Sequence, residues 1–151
     1  MSRGTLRILF VTAVYPHAPE YGAQQRVLNI CRLLSRIGKV SIAMVATEPV
    51  DQNSLTKTGN EFDVAHIALI QRTPLANLAE RVRFEIDSNY MNTYFTSIRD
   101  ARGILLKVID DHDLIWVHTL RAANECRIYK WPRAVLDIDD IPSIPNQRFV
   151  E

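Results

Sequence analysis

Glycine and cysteine are scarce in this chain, and their scarcity excludes several classes of protein. Only five glycines and two cysteines occur among 151 residues. Cys31 and Cys126 are too few for a disulfide framework or a cysteine metal cluster. The loop after the first predicted strand holds one glycine, Gly22, where a dinucleotide-binding fingerprint needs three in the order Gly-x-Gly-x-x-Gly. The pattern therefore disfavours a disulfide-stapled domain and a dinucleotide-binding module.

The chain also lacks an excess of one charge and a long apolar run. Its formal net charge is +1, so the charge balance does not predict a nucleic-acid partner. No apolar run reaches the length of a membrane span, and no signal-peptide cleavage pattern follows the first residues. No two histidines have the spacing of metal ligands on a helix, so no metal site is predicted. These features predict a cytoplasmic protein.

The first part of the chain has the pattern of a strand, a helix and a second strand. The predicted elements are a strand over Leu6–Ala13, a polar loop over 14–22, a helix over Ala23–Ile37 that ends at Gly38, and a strand over Val40–Ala46. In such units a ligand binds at the carboxyl end of the first strand, beside the helix N-terminus. The unpaired N–H groups there favour a phosphate or a carboxylate.

Strands and helices continue to alternate along the chain, which is typical of an α/β protein. We expect a Rossmann-like three-layer sandwich with a mostly parallel sheet of about five or more strands, forming one domain over 1–151. The last residues, Ile141–Glu151, look like the start of another segment, so we expect the chain to be part of a longer protein. The predicted elements are a loop over 49–60, a strand over Phe62–Leu69, two helices within Pro74–Asp110 that break near 87–89, a strand over Leu114–His118, a helix over Ala122–Tyr129 and a strand over Ala134–Ile138.

Three segments together resemble the N-terminal half of GT-B-fold glycosyltransferases of the retaining group-1, or family-four, class. The first is the Tyr-Pro loop with Gly22 and the helix after it, the second is Asp113–His118, and the third is Arg133–Ser143. The resemblance implies the acceptor-side domain of an enzyme that transfers a sugar, with retention, from a nucleotide sugar to an acceptor hydroxyl. The nucleotide sugar would be a co-substrate, and no cofactor is implied.

The resemblance also implies roles for individual residues. His118 matches a histidine that in relatives lies by the transferred sugar and supports catalysis; the structural alternative is a packed histidine at the end of a strand. For Arg26 the structural alternative to a functional role is a side chain on the solvated face of its helix. The implied loop near the donor phosphate and the acceptor comprises Tyr21, Gly22 and Arg26, with Tyr21 in place of a usual glycine, and the implied acceptor contacts are His17, Thr119, Asp139 and Asp140.

Three aspartates, Asp137, Asp139 and Asp140, follow one another at the end of the last predicted strand. Bringing ionised carboxylates close together costs free energy unless a cation, a ligand or water faces them. The spacing also matches the Asp-x-Asp metal motif of the other glycosyltransferase fold and the nucleophile motif of haloacid-dehalogenase-type phosphatases. In a structural alternative, Asp137 pairs within the protein and the others cap a turn.

The donor-binding signature of the family, two glutamates in the pattern Glu-x7-Glu, is missing from this chain. The resemblance then implies that the C-terminal donor-binding domain is absent and that residues 1–151 do not transfer sugar alone. The alternative is a non-catalytic module that binds an acceptor or a partner.

The middle segment suggests a contact with membranes. Arginines alternate there with aromatic and aliphatic residues, and relatives that act on lipid-linked acceptors dock on anionic membranes through such helices. A helix with one core-facing stripe and a solvated outer face is the more common arrangement, and we favour it over the membrane contact. The expected partners are thus a nucleotide-sugar donor, a sugar or lipid-linked acceptor and the absent C-terminal domain, with a membrane surface as the less favoured addition. The arginines are Arg72, Arg81, Arg83, Arg99 and Arg102.

Overall fold

The computed structural model describes residues 5–17, 22–46, 51–69, 98–126, 128 and 130–138. Five strands form one sheet in the order β3-β2-β1-β4-β5, and every neighbouring pair is parallel. The expected α/β fold with a parallel sheet is therefore confirmed. The strands are β1 over Leu6–Thr12, β2 over Gly38–Ala46, β3 over Asp63–Leu69, β4 over Leu114–His118 and β5 over Ala134–Asp137.

Helices cover both faces of the sheet because successive strand residues point to opposite sides. The helices are α1 over Gly22–Leu34, α2 over Gln52–Glu61, α3 over Ile98–Asp110 and α4 over Leu120–Glu125. Ile8 and Phe10 of β1 join the apolar side chains of α1 in one buried cluster. Leu9 and Val11 point the other way, into a second cluster with α3 and α4. This arrangement is a three-layer sandwich.

The segment 49–60 was predicted to be a loop, and that prediction is wrong for most of it. Asp51 is the N-cap of α2, and its carboxylate accepts a hydrogen bond of 2.9 Å from the Ser54 N–H. The helix was missed because Leu55 is its one large apolar residue and Thr58 its one buried residue, so it has no apolar stripe. An aspartate three residues before a serine was the one available signal.

Gly38 was predicted to end the first helix, but it is the first residue of β2 and pairs with Leu6 of β1. The helix itself ends at Leu34. A Cβ at position 38 would overlap the carbonyl oxygen of Leu6 and lie 3.0 Å from the Leu6 Cβ. Glycine is needed there because the two backbones approach closely, and not because the helix needs a cap.

Other predicted boundaries differ less. The helix predicted over Ala122–Tyr129 is α4, over Leu120–Glu125. Within the predicted helical region Pro74–Asp110, the structure describes α3, and the remainder lies outside the described residues. No helix in the described part of the chain is both long and apolar enough to cross a membrane.

Candidate active site at the carboxyl edge of the sheet

His118 and Asp137 are the last residues of β4 and β5, and the parallel register places them opposite each other. The Nδ1 atom of His118 lies 3.1 Å from Oδ2 of Asp137. From the layer above, α1 contributes Arg26, whose guanidinium donates a hydrogen bond of 3.0 Å to Oδ1 of the same carboxylate. We call these three side chains the Asp137 triad. It joins two neighbouring strands to the helix that covers them.

Burial within the Asp137 triad increases from Arg26 to His118. The side chains of Arg26, Asp137 and His118 are 46%, 11% and 1% exposed. The His118 ring stacks on Phe10, with the centroids 6.0 Å apart and the planes inclined by 23°. The histidine is thus held by a buried aromatic ring on one side and by a carboxylate at one nitrogen.

The other ring nitrogen of His118, Nε2, is buried and has no hydrogen-bond partner among the described residues. Leaving a buried polar atom without a partner costs about 1–3 kcal/mol. Such atoms are rare in folded proteins, and each one asks for an explanation. A ligand group that reaches Nε2 would remove this cost, so the atom marks a candidate binding point.

Thr119 lies directly after His118 in a backbone conformation that L-residues rarely adopt. Its φ is 72°, in the left-handed region. The Thr119 N–H donates a hydrogen bond of 3.0 Å to the carbonyl oxygen of Asp137, and its own carbonyl accepts one from the Ala123 N–H. The sharp turn lets α4 start immediately after β4. Strained backbone of this kind is enriched at functional sites.

The predicted phosphate-side residues are partly described. Gly22 is the first residue of α1, and the first turn of that helix contains no acidic side chain. The positive end of the helix dipole is therefore not offset by a carboxylate within that turn. Tyr21, Asp139 and Asp140 lie outside the described residues. The structure brings Arg26 and His118 together through Asp137, for which the sequence analysis had kept internal pairing as one alternative.

His17 lies on the α1–α2 side of the sheet and contacts Glu61 at the end of α2. Its Nε2 is 3.0 Å from Oε2 of Glu61, and its ring faces Phe62 at 6.4 Å between centroids. Arg32 donates two hydrogen bonds to the same carboxylate. These bonds from Arg32 are the main reason that the pKa of Glu61 lies below its ordinary value, and desolvation opposes them. His17 therefore connects the described residues that follow β1 to a helix that sequence reasoning missed.

Tyr15 and Cys31 have strongly raised pKa values for structural reasons. Burial, with a smaller contribution from the charge of Asp51, raises the pKa of Tyr15 to about 12. Burial, with a smaller contribution from Glu61, raises the pKa of Cys31 to about 12. Cys31 belongs to the buried cluster beneath α1, as the sequence predicted. Because this thiol is buried in the core, the reactive thiolate is strongly disfavoured.

The alternatives for the aspartates can be judged at Asp137. Both of its carboxylate oxygens have partners within the protein, Arg26 at Oδ1 and His118 at Oδ2. This geometry matches the structural alternative for Asp137. In the described ranges, no three histidine, cysteine, aspartate or glutamate side chains lie together as metal ligands. Of the arginines proposed for membrane contact, the structure describes the side chain of Arg102 alone, which is exposed on α3.

No protein-family model matches this chain, and no curated protein matches it. The functional argument therefore depends on the geometry at the carboxyl edge of the sheet and on the motif resemblance.

Proposed function

We propose that this chain is the acceptor-side N-terminal domain of a GT-B glycosyltransferase. The enzyme would transfer a sugar, with retention, from a nucleotide sugar to a hydroxyl of a saccharide or lipid-linked acceptor. The observation that carries the proposal is the buried His118, which presents an unpartnered Nε2 at the carboxyl edge of the parallel sheet. In this fold class that edge is where ligands bind.

The strand order supports the choice of His118. The chain runs from β1 outward to β2 and β3, and then returns to the other side of β1 with β4 and β5. The direction of winding reverses between β1 and β4, and open α/β sheets bind ligands in the crevice at such a reversal. His118 pairs with Thr12, the last residue of β1, across this crevice. Thr119, with its strained backbone, follows His118 directly and so lies at the same edge of the sheet.

The three segments that resemble the family also converge in space. Arg26 lies in the helix after the Tyr-Pro loop, His118 ends the second segment, and Asp137 lies in the third. They are far apart in sequence, yet hydrogen bonds connect them at one point. A resemblance in three separate segments is more specific when the segments share a site.

The chemistry available at the site suits a neutral sugar beside a phosphate. The imidazole of His118 can exchange a hydrogen bond with a hydroxyl of the transferred sugar. The N-terminus of α1 favours the negative charge of a diphosphate. In this proposal the donor nucleotide is held by a further domain, and His17, Thr119, Asp139 and Asp140 stay candidates for acceptor contact. No cofactor or metal is part of the proposal.

One observation favours a second candidate, a non-catalytic module that binds an acceptor or a partner. The charged members of the Asp137 triad are paired with each other, as expected if their role were to hold the sheet and the helix together. Such a module would bind saccharide without breaking the nucleotide–sugar bond.

A transfer assay on the protein expressed from its entire natural reading frame tests the proposal. Nucleotide release would be measured with a panel of uridine- and guanosine-diphosphate sugars, in the presence of simple glycoside and lipid-linked acceptors. We expect His118→Ala to reduce kcat/KM by roughly 10²–10⁴-fold, the range for a residue assisting catalysis. The control is His112→Gln, because His112 lies before β4, at the opposite edge of the sheet, and bonds the Val108 carbonyl.

The outcomes separate the two candidates. Turnover that depends on His118 but not on His112 supports the glycosyltransferase. Saccharide binding without turnover of any nucleotide sugar would instead favour the binding module. Turnover that is insensitive to His118→Ala would remove this residue from the proposed site.

A further inference from the structure

The hydrogen-bond partner at one nitrogen of a neutral histidine decides which of the two nitrogens carries the proton. An ionised carboxylate can accept hydrogen bonds and cannot donate them. Since Oδ2 of Asp137 lies 3.1 Å from Nδ1 of His118, Nδ1 must be the donor. A neutral imidazole has one N–H, so the other nitrogen, Nε2, then carries a lone pair and can only accept.

We propose that Asp137, held by Arg26, is a positioning residue that locks neutral His118 in its Nδ1–H tautomer, so that Nε2 accepts a hydrogen bond from a ligand hydroxyl. The tautomer follows from the contacts within the protein. The identification of that hydroxyl as part of a sugar rests on the proposed function.

Two contacts hold Asp137 in this role. Arg26 donates a hydrogen bond of 3.0 Å to Oδ1, so Oδ2 is the oxygen that faces the histidine. The Thr119 N–H bonds the main-chain carbonyl of Asp137, which fixes the backbone beside the ring. A carboxylate that orients an imidazole from its Nδ1 side is a general device for choosing the tautomer.

The surroundings of His118 also fix the direction of Nε2. The ring is stacked on Phe10 and is 1% exposed, so a rotated ring would lose both the stacking and the bond to Asp137. A fixed lone pair attracts O–H or N–H donors and repels the oxygens of phosphates and carboxylates. The structure thus assigns the His118 position to a hydrogen-bond donor of the ligand, which in a saccharide is a hydroxyl, and not to an unprotonated phosphate oxygen.

Nitrogen-15 spectra of the histidine ring test the tautomer directly in the 151-residue chain. Long-range proton–nitrogen correlations, recorded at mildly alkaline pH, distinguish a protonated ring nitrogen from one with a lone pair. We expect His118 to show a protonated Nδ1 and a bare Nε2. An Nε2–H tautomer, or a doubly protonated ring, in the unaltered chain would overturn the proposal.

Variants test whether Asp137 is the cause. In Asp137→Asn the amide group can donate to Nδ1, so we expect the Nε2–H tautomer to become the major form. Arg26→Gln keeps the carboxylate but removes its counter-ion, and should give a smaller shift in the same direction. Asp111→Asn is the matched control, because Asp111 is exposed before β4 and should leave the ring spectrum unchanged. A folded Asp137→Asn chain with an unchanged tautomer would show that Asp137 has no such role. If that variant fails to fold, the unaltered chain and Arg26→Gln decide.

Inorganic phosphate serves as the probe for the ligand class. We expect millimolar phosphate to leave the Nε2 signal unchanged, whereas protonation of Nε2 on phosphate addition would overturn the assignment to a hydroxyl. None of these spectra requires sugar transfer, so the tautomer can be confirmed even if the glycosyltransferase proposal fails. In an active full-length enzyme, Asp137→Asn should lower kcat by about 10-fold or more with a smaller change in KM.

Discussion

Replacing Gly38 with alanine is expected to destabilise the protein, although alanine is usually the better residue for stability. Gly38 pairs with Leu6 where β1 and β2 begin, and a Cβ there would overlap the Leu6 carbonyl oxygen. The same Cβ would lie 3.1 Å from Cδ1 of Ile8, which can move by rotating its side chain. The carbonyl oxygen belongs to the backbone of a paired strand and cannot move alone.

The size of the effect follows from two opposing contributions. Forcing extra volume into a well-packed site typically costs about 1–3 kcal/mol. Alanine also lowers the conformational entropy of the unfolded chain, which stabilises the folded state by about 0.4–1 kcal/mol. We therefore expect Gly38→Ala to lower the free energy of unfolding by about 1–2 kcal/mol, which for a domain of this size lowers Tm by about 3–6 °C.

Urea denaturation, followed by the fluorescence of Trp116 and Trp131, measures the free energy of unfolding of each variant. Gly59→Ala and Gly103→Ala are the matched controls, because both glycines lie in helices and a Cβ at either position meets nothing within 4 Å. They should stabilise the chain by about 0.5–1 kcal/mol each, following the helix propensity of alanine.

A second substitution distinguishes the close approach from a helix cap. If Gly38 served as a left-handed C-cap, asparagine would be tolerated better than alanine. Since its φ is not positive and the obstacle is the Leu6 carbonyl, we expect Gly38→Asn to be at least as destabilising as Gly38→Ala. A Gly38→Ala chain as stable as the parent, or an Asn variant clearly more stable than the Ala variant, would refute this reasoning.

Further predictions concern α2 and the core thiol. The folded state lowers the pKa of Glu61, so its contribution to stability is present above the ordinary glutamate pKa and is lost as pH falls through the lowered value. Glu61→Gln should therefore reduce the unfolding free energy by about 1 kcal/mol at neutral pH and flatten its dependence on acid pH, as measured by urea titrations across that range. Asp51→Ala removes the bond to the Ser54 N–H and should lower Tm, with the difference shrinking in acid as the lowered pKa of Asp51 is passed. Burial raises the pKa of Cys31 to about 12, so its thiol should react slowly in the native chain. In a Cys126→Ala variant, we expect Cys31 to react with iodoacetamide at pH 8 at least about 100-fold more slowly in the native chain than in urea. Equal rates would contradict the burial of Cys31.

Local patterns predicted most of the sheet. Near-continuous apolar runs bounded by polar residues are typical of strands buried on both faces, and β4 has the predicted bounds, Leu114–His118. Cys31 was placed in the core from the apolar spacing along its helix, and it is buried there. The position of His118 at the end of a parallel strand also followed from the sequence, because the alternation of strands and helices along the chain already predicted a parallel sheet.

The features that sequence analysis missed depend on contacts between distant segments. The polar helix α2 has no stripe of its own and is tied to α1 through the bonds between Arg32 and Glu61. Gly38 is required because the backbone of β1 passes close to it, and a local sequence pattern does not indicate such a contact. No spacing rule foretold that Arg26 and His118 would share one carboxylate.

The sequence by itself thus determined the five strands, the parallel sheet and the edge where polar side chains collect, because hydrophobic periodicity is a local property. The tertiary structure decided which of those side chains touch. Arg26 and Asp137 are 111 positions apart, and Asp137 and His118 are 19 apart. Their contact arises from strand order and helix packing, which bring the ends of α1, β4 and β5 together. In our proposal this contact also leaves Nε2 as the unprotonated nitrogen of His118.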